Sequence, residues 1–221
     1  STMGNPALDP ERMRFVEFAH QFLMGGLTTQ MTAYHYHLSK VFAIGMVRNT
    51  LPRPGVVRTE FSIVNGSQTR AQGAEIGWRA SWGRRWEGRG SYSYQRLSSN
   101  PDGQVTRNGT PQHKGSLFLR FRDRGIAFDG GVHRVGRTKW NSNRLTTDVP
   151  RTLSVDPYTL VQMSVAYEFV GRWRGLRISV LAFNLLGQDH EELLVSPQPL
   201  VLAQSGRSIG SRRALRISYA W

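Results

Sequence analysis

The sequence predicts an all-β fold, an antiparallel transmembrane β-barrel of which about nine strands are present. Three observations predict it. Apolar and polar residues alternate with a period of two over stretches of roughly ten residues. Short and long connections follow one another along the chain, as in barrels with tight turns at one end and long loops at the other. No run of about 18 apolar residues is present, so the sequence offers no transmembrane helix.

The alternation is clearest in four segments of the chain. Between residues 73 and 82 every second residue is apolar or small, whereas Glu75 and Arg79 fall between them. Residues 115–121, 158–169 and 215–221 follow the same pattern. A strand of this kind has one polar and one apolar face, which suits a wall between lipid and a water-filled lumen.

The turn signals divide the chain into nine predicted strands. Short turns are expected near 24–26, 83–85, 123–125 and 171–175, and long loops near 39–56, 98–111, 138–157 and 187–207. Both faces of the first hairpin are mixed, so the sequence leaves its lipid-facing side open. The predicted strands are 12–23, 27–38, 57–82 (with an interruption near Asn65-Gly66), 86–97, 112–122, 126–137, 158–170, 175–186 and 207–221.

Domain organisation follows from this strand count. We expect residues 1–11 to form an N-terminal extension or outer loop, and residues 12–221 to form a C-terminal portion of a barrel. If the chain ends on the periplasmic side, all short turns lie there and the first strand begins outside. Bacterial single-chain barrels have even strand numbers, so an odd count predicts further wall strands upstream.

The charge balance first suggests a nucleic-acid partner. The chain has 29 Lys+Arg against 15 Asp+Glu, a net charge of +14, and no cysteine. The arginines, however, are spread along the whole chain and alternate with apolar residues, as in 212–217. No zinc finger, basic-region heptad or RNA-binding aromatic motif accompanies them. Nucleic acid is therefore disfavoured, and a disulfide framework or a cysteine-ligated metal site is excluded.

Candidate catalytic and metal sites each have a simpler explanation. His35 and His37 share one strand face, but a metal site needs three or four ligands. The run 189–192 (Asp-His-Glu-Glu) falls in a long loop, where a solvated acidic stretch is the simpler interpretation. No Ser, His and Asp constellation is identifiable. We therefore predict no catalytic residue, no metal site and no cofactor.

Aromatic residues and arginines indicate how the chain would meet a membrane. Rings at strand ends are typical of the girdle at the lipid headgroups. Arg79, Arg120 and Arg216 are expected to point into the lumen. The arginines of the short turns either pair with anionic lipid heads or serve only solubility. The predicted interface aromatics are Trp78, Trp82, Trp86, Tyr167 and Phe169.

The last strand is similar to the assembly signal of outer-membrane barrels. Its terminal residue is aromatic, with a second aromatic two positions earlier and apolar residues before it. An assembly machine could pair with the free edge of such a strand by strand addition. The residues of this predicted signal are Leu215, Ile217, Tyr219 and Trp221.

Six short segments, spread in order along the chain, carry a family resemblance. Their key residues are Asn5, Leu8, Pro10 and Glu11 in "N-x-x-L-x-P-E"; Gly73 and Glu75 in "N…G-x-E"; Ser91 to Tyr94 in "sYsY"; Pro111 and His113 in "x-P-x-H"; Asn184 and Leu185 in "x-N-L-f-d"; and Gly206 and Arg207 before the terminal strand. Together they resemble the barrel of TonB-dependent outer-membrane receptors. Gly187 and His190 stand where the family has Asp and Tyr.

The resemblance implies a role in active import. Receptors of this family have a plugged barrel of about 22 strands. They take up a scarce ligand, often a ferric siderophore, cobalamin or a glycan, and a periplasmic TonB protein supplies the energy. The barrel does no covalent chemistry, so the resemblance implies that the chain is not an enzyme. It also implies a Gram-negative outer-membrane location, with outer-membrane lipid, lipopolysaccharide and the barrel-assembly machinery as partners.

Two other functions remain open from the sequence. A small, complete outer-membrane barrel acting as a pore or adhesin would have the same alternation. A soluble basic β-protein that binds nucleic acid would have the same charge. The apolar row that ends in Tyr219 and Trp221 counts against the soluble protein.

Overall fold

The computed structural model describes residues 2–53, 56–66, 68–99, 110–141, 152–188, 191–194, 204–208 and 210–220. In these ranges the chain is almost entirely strand, and the one helical element is a 3-10 turn at Gly171–Trp173. No helix in the described part of the chain is both long and apolar enough to cross a membrane. In chain order the strands are β1 (Thr2–Met3), β2 (Arg12–Met24), β3 (Leu27–Ser39), β4 (Phe42–Arg53), β5 (Val56–Asn65), β6 (Thr69–Trp82), β7 (Trp86–Ser99), β8 (His113–Asp123), β9 (Ile126–Val135), β10 (Thr138–Asn141), β11 (Thr152–Val155), β12 (Tyr158–Glu168), β13 (Leu176–Phe183), β14 (Glu191–Leu194), β15 (Gln204–Ser208) and β16 (Arg212–Tyr219).

Nine of these strands form one continuous sheet, which we call the wall. Its order is β2-β3-β6-β7-β8-β9-β12-β13-β16, so each wall strand pairs only with the wall strands that precede and follow it. Every pair is antiparallel. This confirms the predicted nine-stranded antiparallel sheet and most of its strand limits.

The two ends of the wall differ in the length of their connections. At one end, the turn end, strands are joined through residues 25–26, 83–85, 124–125 and 169–175. At the opposite loop end the connections run through 40–68, 100–112, 136–157 and 184–211. Arg124 and Gly125 both have positive φ, as a two-residue type I′ hairpin turn requires. The predicted separation of short turns from long loops is confirmed.

The predicted segment 57–82 is two strands, β5 and β6, separated at the predicted interruption near Asn65-Gly66. The position of β5 outside the wall was not predicted. The chain breaks at Asn65 and Gly66, and β5 leaves the wall to pair with β4 and, in parallel, with β1. An unbroken strand of that length would extend roughly 85 Å, far more than the bilayer needs. Since β5 also alternates, its periodicity could not mark the boundary. Two further hairpins, β10–β11 and β14–β15, likewise form at the loop end within predicted loops.

The wall has almost no buried core. Among the described residues the buried apolar side chains are only Ala80, Pro111, Val135 and Ala166. Large apolar side chains instead share one exposed side of the sheet, the apolar face. One register row across six of its strands consists of Trp86, Phe121, Phe128, Val165, Val180 and Leu215. A water-soluble sheet would cover such a face with another layer.

The opposite side of the wall, the polar face, is charged. Its neighbouring register row contains Glu87, Arg120, Asp129 and Ser164. The register also assigns the first hairpin, which the sequence left open. Phe18 and Phe22 lie on the apolar face, opposite Ala33 and Thr29, and Glu17 lies on the polar face.

Candidate functional site: the polar face of the wall

A chain of ion pairs crosses four strands of the polar face. Arg79 Nη2 lies 2.6 Å from Glu87 Oε1, and Arg120 Nη1 lies 3.9 Å from Glu87 Oε2. Arg120 Nε donates to Asp129 Oδ1 at 2.7 Å. Glu87, Arg120 and Asp129 are direct cross-strand partners, the closest positions that a sheet offers to opposite charges.

A cavity of about 730 Å³ lies beside these ion pairs on the polar face. Four polar-face arginines (Arg79, Arg89, Arg120 and Arg212) and two carboxylates line it, so its lining is net cationic. The Arg89 guanidinium lies 4.9 Å from the centre of the Phe118 ring, within reach of a cation–π contact. Gln162 and Ser164 add hydrogen-bonding groups. The cavity is therefore suited to a ligand or protein surface that carries negative charge.

The sequence identified the arginines of this site but missed their partners. Arg79 and Arg120 point to the polar face, as expected, whereas Glu87 and Asp129 were not selected. Their pairing could have been found by counting outward from the turns. Trp82 faces Trp86 across one turn and Asp123 faces Ile126 across the next, which places Arg120 opposite Asp129.

An aromatic and acidic cluster lies near the loop end of the polar face. Tyr36 Oη donates to Glu17 Oε2 at 3.0 Å, and the Tyr34 and Tyr36 rings are 4.9 Å apart. Glu75 lies opposite Thr32 on the same face. The cluster provides hydroxyl and carboxylate groups on the polar face.

The first family motif fixes the N-terminal segment to the β4–β5 hairpin. Asn5 Oδ1 accepts from the Ala7 amide at 3.0 Å, and Asn5 Nδ2 donates to the Ile63 carbonyl at 2.9 Å. Glu11 Oε1 accepts from the Phe42 amide at 2.7 Å. The other two motif residues make no polar side-chain contact: Leu8 is half-buried and Pro10 is exposed.

Asn65 holds the same segment from the hairpin side. Its Oδ1 accepts from the Asp9 amide at 2.8 Å, and its Nδ2 donates to the Asp9 and Lys40 carbonyls at 2.7 and 2.9 Å. Lys40 Nζ lies 2.6 Å from Asp9 Oδ2. The hydrogen bond and charge of Lys40 lower the pKa of Asp9 below its ordinary value. Residues 5–11 are therefore bound to the loop-end hairpin by side-chain contacts.

The remaining motif residues lie at separate places in the wall. A Cβ on Gly73 would lie 2.4 Å from the Tyr94 carbonyl oxygen, so a side chain does not fit there. Pro111 is buried, and His113 Nδ1 lies 2.7 Å from Tyr92 Oη.

The motif residues Asn184 and Leu185 directly follow β13 at its loop end. Asn184 is fully buried, adopts φ of 50°, and donates from Nδ2 to the Gln188 carbonyl at 2.9 Å. The Leu185 amide donates to the Val161 carbonyl of β12 at 2.9 Å. Gly206 and Arg207 belong to β15, whose side chains lie outside the described part.

The aromatics selected from the sequence share the apolar face. Trp82 and Trp86 face one another across their turn, and the Trp86 and Phe121 rings are 4.6 Å apart. Tyr167 and Phe169 make an edge contact at 4.9 Å. Trp78 lies farther from the turn, over Gly88 and Gly90. The arrangement is compatible with an interface role, which stays a prediction.

Leu215, Ile217 and Tyr219 form one exposed row on β16. Trp221, the last residue of the predicted assembly signal, lies outside the described residues, as does the pair Asp189-His190.

The described side chains include no cluster of three or more potential metal ligands. His35 lies on the apolar face opposite Gln72, and His37 lies two positions away with Nε2 3.2 Å from Gln68 Oε1.

An antiparallel sheet with one exposed apolar face and one charged face is the wall of a membrane β-barrel. The model of the TonB dependent receptor-like β-barrel family matches residues 1–185, and the chain belongs to this family. The family occurs in the Gram-negative outer membrane, and its members are transporters rather than enzymes. Comparison with curated protein sequences finds no match.

Solved barrels show the same fold. The pyoverdine outer membrane receptor FpvA of Pseudomonas aeruginosa PAO1 superposes with a TM-score of 0.71 at 15% identity, covering 97% of this chain and 30% of that one. The FrpB iron transporter of Neisseria meningitidis gives 0.71 at 11% identity, with 99% and 32% covered. The ferric-catecholate import receptor Fiu of E. coli K12 gives 0.66 at 15% identity, with 97% and 28% covered. The chain thus spans about a third or less of the length of these barrels.

Proposed function

We propose that this chain forms part of the wall of a receptor that imports a scarce nutrient, such as an iron-siderophore, across the outer membrane with energy from TonB. The observation that supports this most is the separation of the two faces. One face of the wall exposes large apolar side chains, and the other carries the ion pairs and a net cationic cavity. A sheet that separates lipid from a polar lumen needs one apolar face and one polar face.

In this proposal each part of the wall has a defined role. Residues 12–221 supply barrel strands, and residues 1–11 belong to the outer surface. The turn end faces the periplasm, with aromatic rings and turn arginines at the inner leaflet. The loop end faces outward, where its hairpins form part of the ligand entrance. Lipid, lipopolysaccharide and the assembly machinery are the proposed partners of the wall.

The polar face contributes binding rather than chemistry. Arg89, Arg120 and Arg212 place positive charge around the cavity, while Glu87 and Asp129 neutralise only part of it. A negatively charged ligand or lumen domain would be attracted there. Because cross-strand pairing holds the charges in place, little reorganisation would accompany binding.

The experiment that tests the proposal is uptake of radioactive iron by cells. The full-length protein that contains this chain is expressed in a Gram-negative strain lacking its own siderophore receptors, under iron limitation, with and without TonB. A set of ferric siderophores is supplied singly. We expect uptake of at least one of them that needs both the protein and TonB.

Two outcomes would contradict the proposal. Equal solute entry with and without TonB would indicate a passive pore instead. Recovery of the protein in the soluble fraction would favour the basic nucleic-acid-binding alternative.

The proposed assembly signal is tested by deleting Trp221 and comparing the outer-membrane fraction with that of a Leu215→Ala control. A terminal signal predicts a sharp drop in insertion for the deletion alone. Equal, near-normal insertion of both variants would refute it.

A further inference from the structure

Arginines on the polar face are concentrated near the turn end of the wall. In the described wall strands, six of the seven lie within three residues of the turn end of their strand. The exception is Arg212, at the loop end of β16. The middle of this face contains Glu17 and Glu75 but no arginine in its described strand positions. Positive charge is therefore localised rather than spread along the lumen side. The six are Arg79, Arg89, Arg120, Arg122, Arg177 and Arg216.

Three of these arginines lie between the lumen cavity and the turn end. Arg120, which lines the cavity, is two residues from Arg122 on β8, so their Cα atoms are roughly 7 Å apart. Arg216 likewise follows Arg212, a second residue of the cavity lining, on β16. Arg177 lies one residue from the turn end of β13. We call Arg122, Arg177 and Arg216 the arginine trio; in the described part of the chain none of them is within 4 Å of a carboxylate oxygen.

Small side chains separate two members of the trio across the sheet. Arg122 and Arg216 belong to one register row, and the positions between them hold Ala127, Ala166 and Ser179. Four strand spacings of about 4.8 Å give this row a width of roughly 19 Å. Ala166 and Ser179 are buried, whereas both arginines are exposed. The two guanidinium groups therefore flank a shallow trough of small side chains.

A second cavity, of about 450 Å³, lies at the turn end. Arg122 and Arg177 line it together with three arginines of the adjoining turns. The carboxylates of its lining are Asp123 and Glu168, the second of which is the cross-strand partner of Arg177. This lining is net cationic, as is that of the first cavity, so positive charge continues from the lumen cavity to the turn end.

Stabilisation of the sheet does not explain this excess of positive charge. Arg79 and Arg120 pair with Glu87 and Asp129, so opposite charges are matched there. The trio adds three positive charges without a matching contact, and like charges destabilise the folded chain through repulsion. Charges of one sign that line a space with low-dielectric walls focus their field and concentrate counter-ions. The arrangement therefore favours an anion that moves along this part of the wall.

We propose that the arginine trio draws an anionic ligand, a ferric complex with net negative charge, from the lumen cavity to the turn end during import. This rests on the proposed import function and on the turn end facing the periplasm. It adds to that function the charge of the imported ligand and a step that follows binding. Because the trio acts through its field rather than through a fitted contact, lysine can replace arginine in this role.

The test measures uptake of radioactive iron by cells that express the full-length protein together with TonB. One variant replaces each arginine of the trio with glutamine, and a second replaces each with lysine. A matched control removes the same charge from exposed positions on the apolar face, near the loop end. It carries Arg14→Gln, Arg70→Gln and Arg96→Gln. The probes are a strongly anionic ferric tris-catecholate and an uncharged ferric tris-hydroxamate of similar size.

The unsubstituted protein is expected to import the anionic complex faster than the uncharged one. The glutamine variant is expected to import the anionic complex roughly tenfold more slowly at saturation, the lower end of what focusing by a charged cleft gives. Binding of that complex to cells without TonB should not change, because the trio does not line the first cavity. The lysine variant and the control should keep the rate to within about twofold. Heat-dependent gel mobility verifies folding, and if the glutamine variant does not fold, Arg122→Gln and Arg216→Gln singly should each lower the rate about twofold.

Three results would overturn the inference. The uncharged complex could be imported as fast as the anionic one, or the trio variant could lose no more activity than the control or than the lysine variant. Entry of iron without TonB in the glutamine variant would show that the trio holds a lumen domain in place instead. All three leave the proposed import function intact, because the unsubstituted protein still imports iron with TonB. Absence of any TonB-dependent import by the unsubstituted protein would instead contradict the proposed function itself.

Discussion

The two faces of the wall are built from the same strands but are stabilised differently. On the polar face Glu87, Arg120 and Asp129 contact one another, and the contacts are local. On the apolar face large side chains such as Met31, Leu117 and Val165 remain exposed, and the sheet supplies no second layer for them. The comparison shows that side-chain pairs within the chain stabilise the polar face, whereas most apolar contacts of the other face must come from outside the sheet. In the proposed membrane location lipid supplies those contacts.

Adjacent positions on β3 provide the sharpest test of this difference. Met31 lies on the apolar face and Gln30 on the polar face, and both are exposed. Arginine at a lipid-facing position near the bilayer centre costs about 2–4 kcal/mol, and a lumen position tolerates charge. Met31→Arg is therefore expected to lower the free energy of unfolding by that amount, and Gln30→Arg by about 0.5 kcal/mol or less.

The measurement is urea-induced unfolding in lipid vesicles, followed by tryptophan fluorescence. If both arginine variants lose the same free energy of unfolding, the assignment of the two faces is wrong.

Two glycines of β6 test how tightly the polar face is packed. A Cβ at Gly73 would meet the Tyr94 carbonyl at 2.4 Å and Tyr34 Oη at 2.5 Å, whereas nothing lies within 4 Å of one at Gly77. Since the carbonyl belongs to the paired strand, it cannot move without disturbing the register. Gly73→Ala is expected to cost about 1–3 kcal/mol, and Gly77→Ala is expected to be close to neutral in the same vesicle assay. A neutral Gly73→Ala would show that the two strands separate more easily than the structure indicates.

The ion pairs of the polar face should contribute less to the free energy of unfolding than the close packing at Gly73. Glu87 is partly buried and Arg79 largely exposed, so screening by water limits their attraction. A double-mutant cycle with Glu87→Gln and Arg79→Gln is expected to give a coupling free energy of about 0.2–1 kcal/mol. The coupling should decrease in high salt. Ser81→Ala, opposite Glu87 on the same face, serves as the control. If the effects of the two substitutions on the free energy of unfolding are strictly additive at low salt, the ion pair does not stabilise the wall.

The smallest effect is expected at Asp9, outside the wall. Its pKa is lowered from 3.8 by the hydrogen bond and charge of Lys40. Because the folded pKa lies below the unfolded one, the contact stabilises the bound segment above the unfolded value and is lost as pH falls through the folded value.

Hydrogen exchange at the Asp9 amide measures this contact. Its protection should be higher at about pH 6 than at about pH 3, and Asp9→Asn should reduce that difference. Glu11→Gln keeps the Oε1 acceptor for the Phe42 amide and is the matched control. The same pH dependence in Asp9→Asn would assign the effect to another group.

The wall was predictable from sequence because its signal is local. Period-two alternation gave the strands, and glycine-containing turns such as Arg124-Gly125 gave the hairpins and therefore the neighbour order. The β4–β5 hairpin was missed because its strands lie in a predicted loop or continue the alternation into Thr69–Trp82 without a change of period. The predicted interruption near Asn65-Gly66 marks the end of β5, and the side-chain contacts of Asn65 show that β5 belongs to the loop-end hairpin and not to the wall.

The candidate site was predictable only in part for a related reason. Alternation places Arg79 and Arg120 on a face but does not say which residue lies beside them. The partners Glu87 and Asp129 follow from register, which depends on the conformation of each turn. The concentration of polar-face arginines at the turn end likewise emerges only when all strands are aligned.

The neighbour-only strand order has an evolutionary consequence. No strand of the wall lies between two that are distant from it in sequence. Duplicating one hairpin would therefore widen such a sheet by two strands without rerouting any connection, and deleting one would narrow it. Loop-end hairpins such as β4–β5 could be exchanged independently, since they pair among themselves. In this architecture the loop-end hairpins can therefore change during evolution while the number of wall strands, and with it the width of the sheet, stays the same.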